Sequence, residues 1–480
     1  MRFDLVVLGS GPAGRRAAVQ AAKLGKSVLV VDNRARVGGV SVHTGTIPSK
    51  TLRETALNLS GWRERGFYGR AYRVKREISG ADLSARLGKT LTHEIEVLEH
   101  QFARNGVRTM VGAARFIDPH HIAVLGDGAA EQIVEAARVL IAVGTAPHRP
   151  DGIAFDGHTI LDSDQFIQNP RVPRSLTVVG AGVIGLEYAT IFGALDVPVT
   201  LVEPRNRLLE FMDQEVVEHL IYQLRDHGMR LLLGAEVERV KLDDAGAVCE
   251  LADGRVLRSD MVLYTAGRHG ATHSLGLAAC GLEADGRGRL QVDPITFQTK
   301  VPHIYAAGDV IGFPSLASTS MEQGRAAACH AFDQPLPGGG ANFPIGIYAV
   351  PELSSVGLSE EAVRARGLAY ECGIARFRET SRGHIMGVDT GVLKLIFDLP
   401  TRRLLGVHII GEGATELIHI GQAVINLGGG LDYFLDNSFN YPTLAEAYKV
   451  AALNVWNRLR QHQDNVVALA PVATGSANAA

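Results

Sequence analysis

Six glycines carry the first chemical signal in the chain. Gly9-Ser10-Gly11-Pro12-Ala13-Gly14 follows the apolar run 5–8 and opens a helix-like stretch to Leu24; the strand pattern 27–31 then ends at Asp32. Gly180-Ala181-Gly182-Val183-Ile184-Gly185 repeats the plan, with the run 176–179 before it, a helix pattern to about Leu195 after it, and 198–202 ending at Glu203. In both copies 18 residues separate the third glycine from the acid. The first glycine of such a loop permits a tight turn, the second lets backbone approach a pyrophosphate, and the third lets helix and strand pack closely. The helix N-terminus offers N–H groups and positive potential to phosphate oxygens, and the acid accepts hydrogen bonds from ribose hydroxyls. A single copy also fits an ordinary glycine turn. Two copies, each with strand, helix and acid in place, predict two dinucleotide sites.

Other segments must close these units. Residues 139–144 and 261–267 read as buried strands running into turns, which makes Ala142, Gly144 and Gly267 candidate wall residues of the two sites. Residues 299–309 read as a further strand ending in Gly308-Asp309, and 315–328 as a helix opened by Ser315, Leu316, Ala317 and Ser318. Beyond about Phe343 the pattern changes to alternating strands with two helical stretches. The expected architecture is α/β: two Rossmann-like dinucleotide-binding domains plus a C-terminal α+β domain. Residues 1–148 and 273–342 would form the first domain, 149–272 the second and 343–463 the third, with 464–480 a disordered tail.

Composition narrows the function. At 480 residues and 51.3 kDa the chain is too long for one core. The charge balance, 48 − 51 = −3, provides no basic surface for general nucleic-acid binding. Cys249, Cys280, Cys329 and Cys372 lie far apart, so neither a zinc spacing nor a disulfide framework is expected. Dispersed thiols suit a reducing cytosol, and no apolar run reaches the ~18 residues of a membrane span. The N-terminus enters a strand pattern without signal-peptide features, so a cytoplasmic location is expected. The pair His120-His121 reads as part of a solvated turn, and no metal site is predicted.

These motifs, in this order, resemble the FAD-dependent pyridine nucleotide–disulfide oxidoreductases over residues 3–460. The resemblance implies that Gly9, Gly11, Pro12, Ala13, Gly14 and Asp32 bind FAD, that Gly180, Gly182, Ile184, Gly185 and Glu203 bind NAD(P), and that Asp309 holds the ribityl chain. It aligns Gly38-Gly39-Val40-Ser41-Val42-His43-Thr44-Gly45-Thr46-Ile47-Pro48-Ser49-Lys50 with the segment that normally carries the redox-active cysteine pair. Gly39, Ser41, Gly45 and Thr46 are then flavin contacts, and His43 lies beside the ring system. Lys50 would sit near flavin N5 and pair with Glu187, because a buried lysine without a carboxylate loses its charge. The plain alternatives are a surface lysine at a helix start and a glutamate on an exposed turn. The N-terminus starting at Ser315 would face the flavin N1–O2 edge, although small polar residues also suit any helix start. A homodimer is implied, with Tyr441 and Glu446 reaching the partner's flavin or supporting the interface.

Three departures redirect the chemistry. Ser41 and Thr46 stand where the family has cysteines, and Tyr441 stands where it has a histidine base. Hydroxyls form no disulfide, and a phenol with reference pKa ~10 does not replace an imidazole near ~6.5. Within the family, Gly45-Thr46-Ile47-Pro48-Ser49-Lys50-Thr51-Leu52-Arg53 and Phe439-Asn440-Tyr441-Pro442-Thr443-Leu444-Ala445-Glu446-Ala447-Tyr448 are similar to runs of the soluble transhydrogenases. Hydride exchange between NADPH and NAD through flavin N5, in a ping-pong course without a disulfide, is the implied activity. An NAD(P)H:quinone reductase and a non-enzymatic FAD-binding subunit are the competing readings. Arg205 and Arg207, close after Glu203, would let one site accept a 2′-phosphate as well as a free 2′-OH; exposed loop arginines are the alternative.

Overall fold

The computed structural model describes residues 1–126, 130–244, 246–336 and 342–469, with side chains through 461. They form two compact units. One comprises residues 1–62, 72–209 and those described from 224 to 336; the other comprises 63–71, 210–223 and those described from 342 on.

The first unit contains two parallel sheets. Arg2–Leu8 is flanked by Val28–Asp32 and Gln132–Ile141, with Arg108–Val111 outside the former and Ile304–Ala306 on the latter, all parallel. The other end of Gln132–Ile141 joins His121–Leu125 and Ala113–Phe116 in an antiparallel extension. Helices Pro12–Lys23 and Ala317–Ala331 pack together through small side chains, burying Ala13, Ala17 and Ala327 in one apolar cluster. The second sheet runs Arg230–Leu233, Val199–Glu203, Leu176–Val179, Met261–Tyr264 and Ile160–Asp162. Its central strands Leu176–Val179 and Met261–Tyr264 are buried but for Tyr264, because a parallel sheet is covered on both faces.

Within the first compact unit, the two glycine-loop sheets are linked by antiparallel pairing of Thr145–Pro147 with Arg268–Gly270. A three-stranded antiparallel sheet, Val237–Asp243, Gly246–Leu251 and Val256–Ser259, completes the second one. The other compact unit is built on five antiparallel strands in the order Ile345–Ile347, Leu353–Gly357, Leu404–Ile410, Val392–Asp398 and Tyr370–Arg376. Helices Ala414–Asn426 and Glu446–Leu469 pack on it, around the fully buried Phe377, Phe397, Phe434 and Tyr448.

Local expectations are corrected at three places. The strand expected over 299–309 is only Ile304–Ala306. Pro302 has no N–H to donate, and the chain turns there, with Thr299 N–H bonded to the Ile304 carbonyl at 2.9 Å. The helix expected from Ser315 starts at Ala317, because Ser315 has φ of +50° and Leu316 is the extended cap. The last helix runs to Leu469, into the segment expected to be a tail; the rest of that tail, 470–480, lies outside the described residues.

Candidate functional site

The two glycine loops are built alike. Gly9 and Gly180 have φ of +105° and +95°, conformations that side chains with a Cβ rarely adopt. A Cβ on Gly14 would lie 1.9 Å from the Gly9 carbonyl oxygen, and one on Gly185 equally 1.9 Å from that of Gly180. Gly11 and Gly182 cap their helices without a side-chain hydrogen bond; a Cβ at Gly182 would meet no atom within 4 Å, and one at Gly11 only Gly39 Cα at 4.0 Å. Each helix therefore presents first-turn N–H groups beside room for a phosphate. The acids are also held alike. Ser10 N–H donates to Asp32 at 2.8 Å, and Ala181 N–H donates to Glu203 at 2.8 Å.

A cleft of about 330 Å³ opens over the first loop. Its walls include Gly9, Gly11, Pro12, Ala13, Asp32, Gly39, Ser41, Thr46, Ala142, Gly144, Gly308, Asp309, Ser315 and Ala317. The uncapped N-terminus of helix Ala317–Ala331 joins that of Pro12–Lys23 at this wall. Gly14, Gly45, Lys50, Leu316 and Ser318 are not on the wall; Gly14 instead supports the loop from beneath. Burial pushes the Asp309 carboxyl above the usual range, opposed by Arg268 and a hydrogen bond from Ser320. His43 does not reach the cleft wall, since its Nε2 is within 3.1 Å of the Arg36 and Val37 carbonyls.

Lys50 and Glu187 meet. Lys50 Nζ lies 2.6 Å from both carboxylate oxygens, and Ser49 Oγ donates to the same carboxylate at 3.3 Å. Glu187 is buried and Lys50 half-buried, so helix Thr46–Ser60 is tied to helix Val183–Ala194 by a pair largely withdrawn from water. Near the second loop, Glu203 is shielded by Arg205, whose Nε donates to it at 2.7 Å. Burial opposes ionisation of Glu203, but the Arg205 side chain and the Ala181 and Arg205 N–H groups hold its carboxyl below the usual range. Gly267 closes the adjacent turn at φ +108°.

Tyr441 and Glu446 lie in the other compact unit and are not brought together. Tyr441 is 65% exposed and shares a 2.5 Å hydrogen bond with Ser381. One carboxylate oxygen of Glu446 is buried with no hydrogen-bond partner among the described residues. Sequence reasoning missed Ser10. Its Oγ donates to Asp32 at 2.6 Å and accepts Gly38 N–H at 2.9 Å, joining both loops around the cleft. A hydroxyl between two fingerprint glycines, with an acid 22 residues on, was the available signal. Thr145, Asp164 and Ser274 also line the wall without a local sequence signal.

Residues 3–324 match the family model for pyridine nucleotide-disulphide oxidoreductase, and residues 343–452 match that family's dimerisation domain. The chain belongs to the pyridine nucleotide-disulphide oxidoreductase family. Flavin and pyridine nucleotides are that family's working groups, which agrees with the two loops. The chain is 51% identical, over 95% of its length and 98% of the relative's, to the soluble pyridine nucleotide transhydrogenase of Mycobacterium tuberculosis (strain ATCC 25177 / H37Ra). It is 41% identical, over 95% and 98%, to the soluble pyridine nucleotide transhydrogenase of Escherichia coli. Among solved structures, it is similar to LpdA of Mycobacterium tuberculosis, with TM-score 0.87, 27% identity and coverage of 96% and 99%. It is also similar to the HOCl-induced flavoprotein disulfide reductase RclA of Escherichia coli, with TM-score 0.84, 26% identity and coverage of 94% and 100%. No described helix is long and apolar enough to cross a membrane.

Proposed function

We propose that this chain is an FAD-dependent transhydrogenase moving hydride between NADPH and NAD without a redox-active disulfide. One observation carries the reading: hydroxyls, Ser41 and Thr46, occupy the wall of the cleft over the first glycine loop, while all four cysteines lie elsewhere. The relatives' names support it. Bound FAD would supply a two-electron hydride acceptor and donor at its N5. The chain's own task is to hold and orient the reactants.

In this reading the Gly9–Gly14 loop and its helix N-terminus receive the FAD pyrophosphate, Asp32 a ribose and Asp309 the ribityl hydroxyls. The uncrowded backbone at Gly11, with no atom nearer than 4.0 Å to its Cβ position, and the uncapped helix fit such a group. Lys50, ion-paired with Glu187 at 2.6 Å, offers its side-chain amine near the flavin, and the N-terminus at Ala317 offers positive potential to its opposite edge. The Gly180–Gly185 loop serves either nicotinamide nucleotide. The dimerisation domain supports a homodimer, in which Tyr441 and Glu446 belong to the partner-facing surface. A cytoplasmic location goes with this reading.

The deciding experiment is anaerobic stopped-flow: NADPH should bleach the flavin, and NAD should then restore it in single turnovers. Restoration by quinones but not by NAD would make the protein a quinone reductase instead. Two variants test the individual roles. Ser10→Ala leaves the Gly38 N–H without its acceptor, a loss of about 1–3 kcal/mol, so FAD should bind roughly 5- to 150-fold more weakly in flavin titrations of reconstituted protein. Unchanged affinity would remove Ser10 from the binding argument.

Arg205→Ala should spare NADH and weaken NADPH. Loss of a charge-assisted hydrogen bond to the 2′-phosphate, about 1.5–3 kcal/mol, implies roughly 10- to 150-fold in NADPH half-reaction efficiency. Arg205 must then share or leave its Glu203 contact when the phosphate arrives. Equal losses for both nucleotides would make Arg205 a support for Glu203, and Arg207 the next candidate.

A further inference from the structure

A buried ionic cluster sits in the second compact unit. Lys394, on strand Val392–Asp398, is 1% exposed. Its Nζ lies 3.1 Å from Asp213, 2.8 Å from Glu215 and in contact with Glu360. Asp213 is completely buried. Burial opposes the lysine's charge, but these carboxylates outweigh it and hold the ammonium above the ordinary lysine range.

The helices at this point cap each other. Asp213, which precedes helix Gln214–Asp226, accepts the N–H of Glu360 at 3.1 Å. Glu361, in helix Glu360–Ala365, accepts the N–H of Gln214 at 3.3 Å. Two positive helix ends thus share carboxylates with a central lysine, and each end satisfies an N–H of the other. His408 closes the cluster on one side, its ring held at 2.9 Å by both Ser355 Oγ and the Leu358 carbonyl.

What this cluster holds is a nucleotide-domain connection. Helix Gln214–Asp226 is the crossover between the parallel strands Val199–Glu203 and Arg230–Leu233. Asp213 stands ten residues after Glu203, at the end of the loop bearing Arg205 and Arg207. Leu208, Leu209 and Met212 between them are buried, so the segment has little slack. Yet residues 210–223 belong to the compact unit built on the antiparallel sheet. We propose that Lys394 and Asp213 are positioning residues for nicotinamide-nucleotide binding: the ion cluster anchors the far end of the ribose-reading loop to the dimerisation domain, which thereby sets nucleotide affinity. The proposal rests on the reading of the Gly180–Gly185 loop as the nucleotide site.

The test uses the full-length flavoprotein and flavin reduction over a range of NADH and of NADPH. Each titration yields a Kd and a limiting rate. Lys394→Met should raise both Kd values by roughly 2- to 30-fold, the span of measured couplings through packed networks, and leave the limiting rates at the wild-type level. Asp213→Asn keeps an acceptor for Glu360 N–H, so it serves if Lys394→Met does not fold, and it should shift both Kd values in the same direction. Both values move because the loop as a whole is displaced, unlike the NADPH-selective loss at Arg205. Wild-type Kd values in a folded variant that has only lost thermal stability would make the cluster purely structural and overturn the proposal. If the wild-type protein itself shows no saturable reduction by either nucleotide, the underlying nucleotide-site reading fails instead.

Discussion

Lys50→Met is expected to slow flavin reduction by NADPH by roughly 100- to 1,000-fold, the usual cost of removing a preorganised charge from a reacting centre. The substitution keeps the aliphatic stem and removes the ammonium that lies 2.6 Å from Glu187. That carboxylate is 5% exposed on its side chain, against 26% for Lys50. Breaking a buried pair from one side typically costs about 3–5 kcal/mol, and the partial access of water to Lys50 places this one near the lower end. A rate loss alone would leave open whether chemistry or folding had failed, so the companion variant is Lys50→Met with Glu187→Leu. An apolar pair should regain most of the stability, since no carboxylate is then left buried beside an apolar side chain. It should not regain the rate. Recovery of both together would reduce the pair to a structural tie between two helices.

Gly14→Ala and Gly185→Ala should separate the two half-sites. Each new Cβ would stand 1.9 Å from a backbone carbonyl oxygen, of Gly9 and Gly180 respectively, and no flexible side chain can yield. The helix must shift away from its strand, carrying the N–H groups that would receive a pyrophosphate. A displacement of about 1 Å commonly costs two orders of magnitude where geometry governs function. Gly14→Ala should therefore purify largely colourless, with FAD affinity reduced by about 100-fold or more. Gly185→Ala should remain yellow, yet show a comparable loss in reduction by both NADH and NADPH. Flavin absorbance and stopped-flow reduction read the two effects separately. Loss of flavin from Gly185→Ala, with retention by Gly14→Ala, would reverse the assignment of the loops.

Sequence by itself determined the two glycine loops and their acids, because these depend on residue type at short spacing; the reading of Ser41 and Thr46 as replacements for a dithiol came from the resemblance to the family. A tight turn, a close helix–strand approach and a helix N-terminus are local demands, met within about thirty residues of a βαβ unit. The strand 299–309 and the helix start at Ser315 were less legible. Apolar runs do not show where a proline turns the chain, or that a serine takes a positive φ.

Tertiary structure alone decided which distant groups meet. Ser10 joins Asp32 to Gly38; Arg205 covers Glu203; Lys394, on a strand, gathers Asp213 and Glu215 from the start of one helix and Glu360 from another. None of these has a periodic signature, since a single charged side chain at a buried position looks in sequence like one on a solvated face. Burial is what gives such contacts consequence: a carboxylate in water needs no partner, whereas Asp213, withdrawn from it, requires the Lys394 ammonium and the Glu360 N–H.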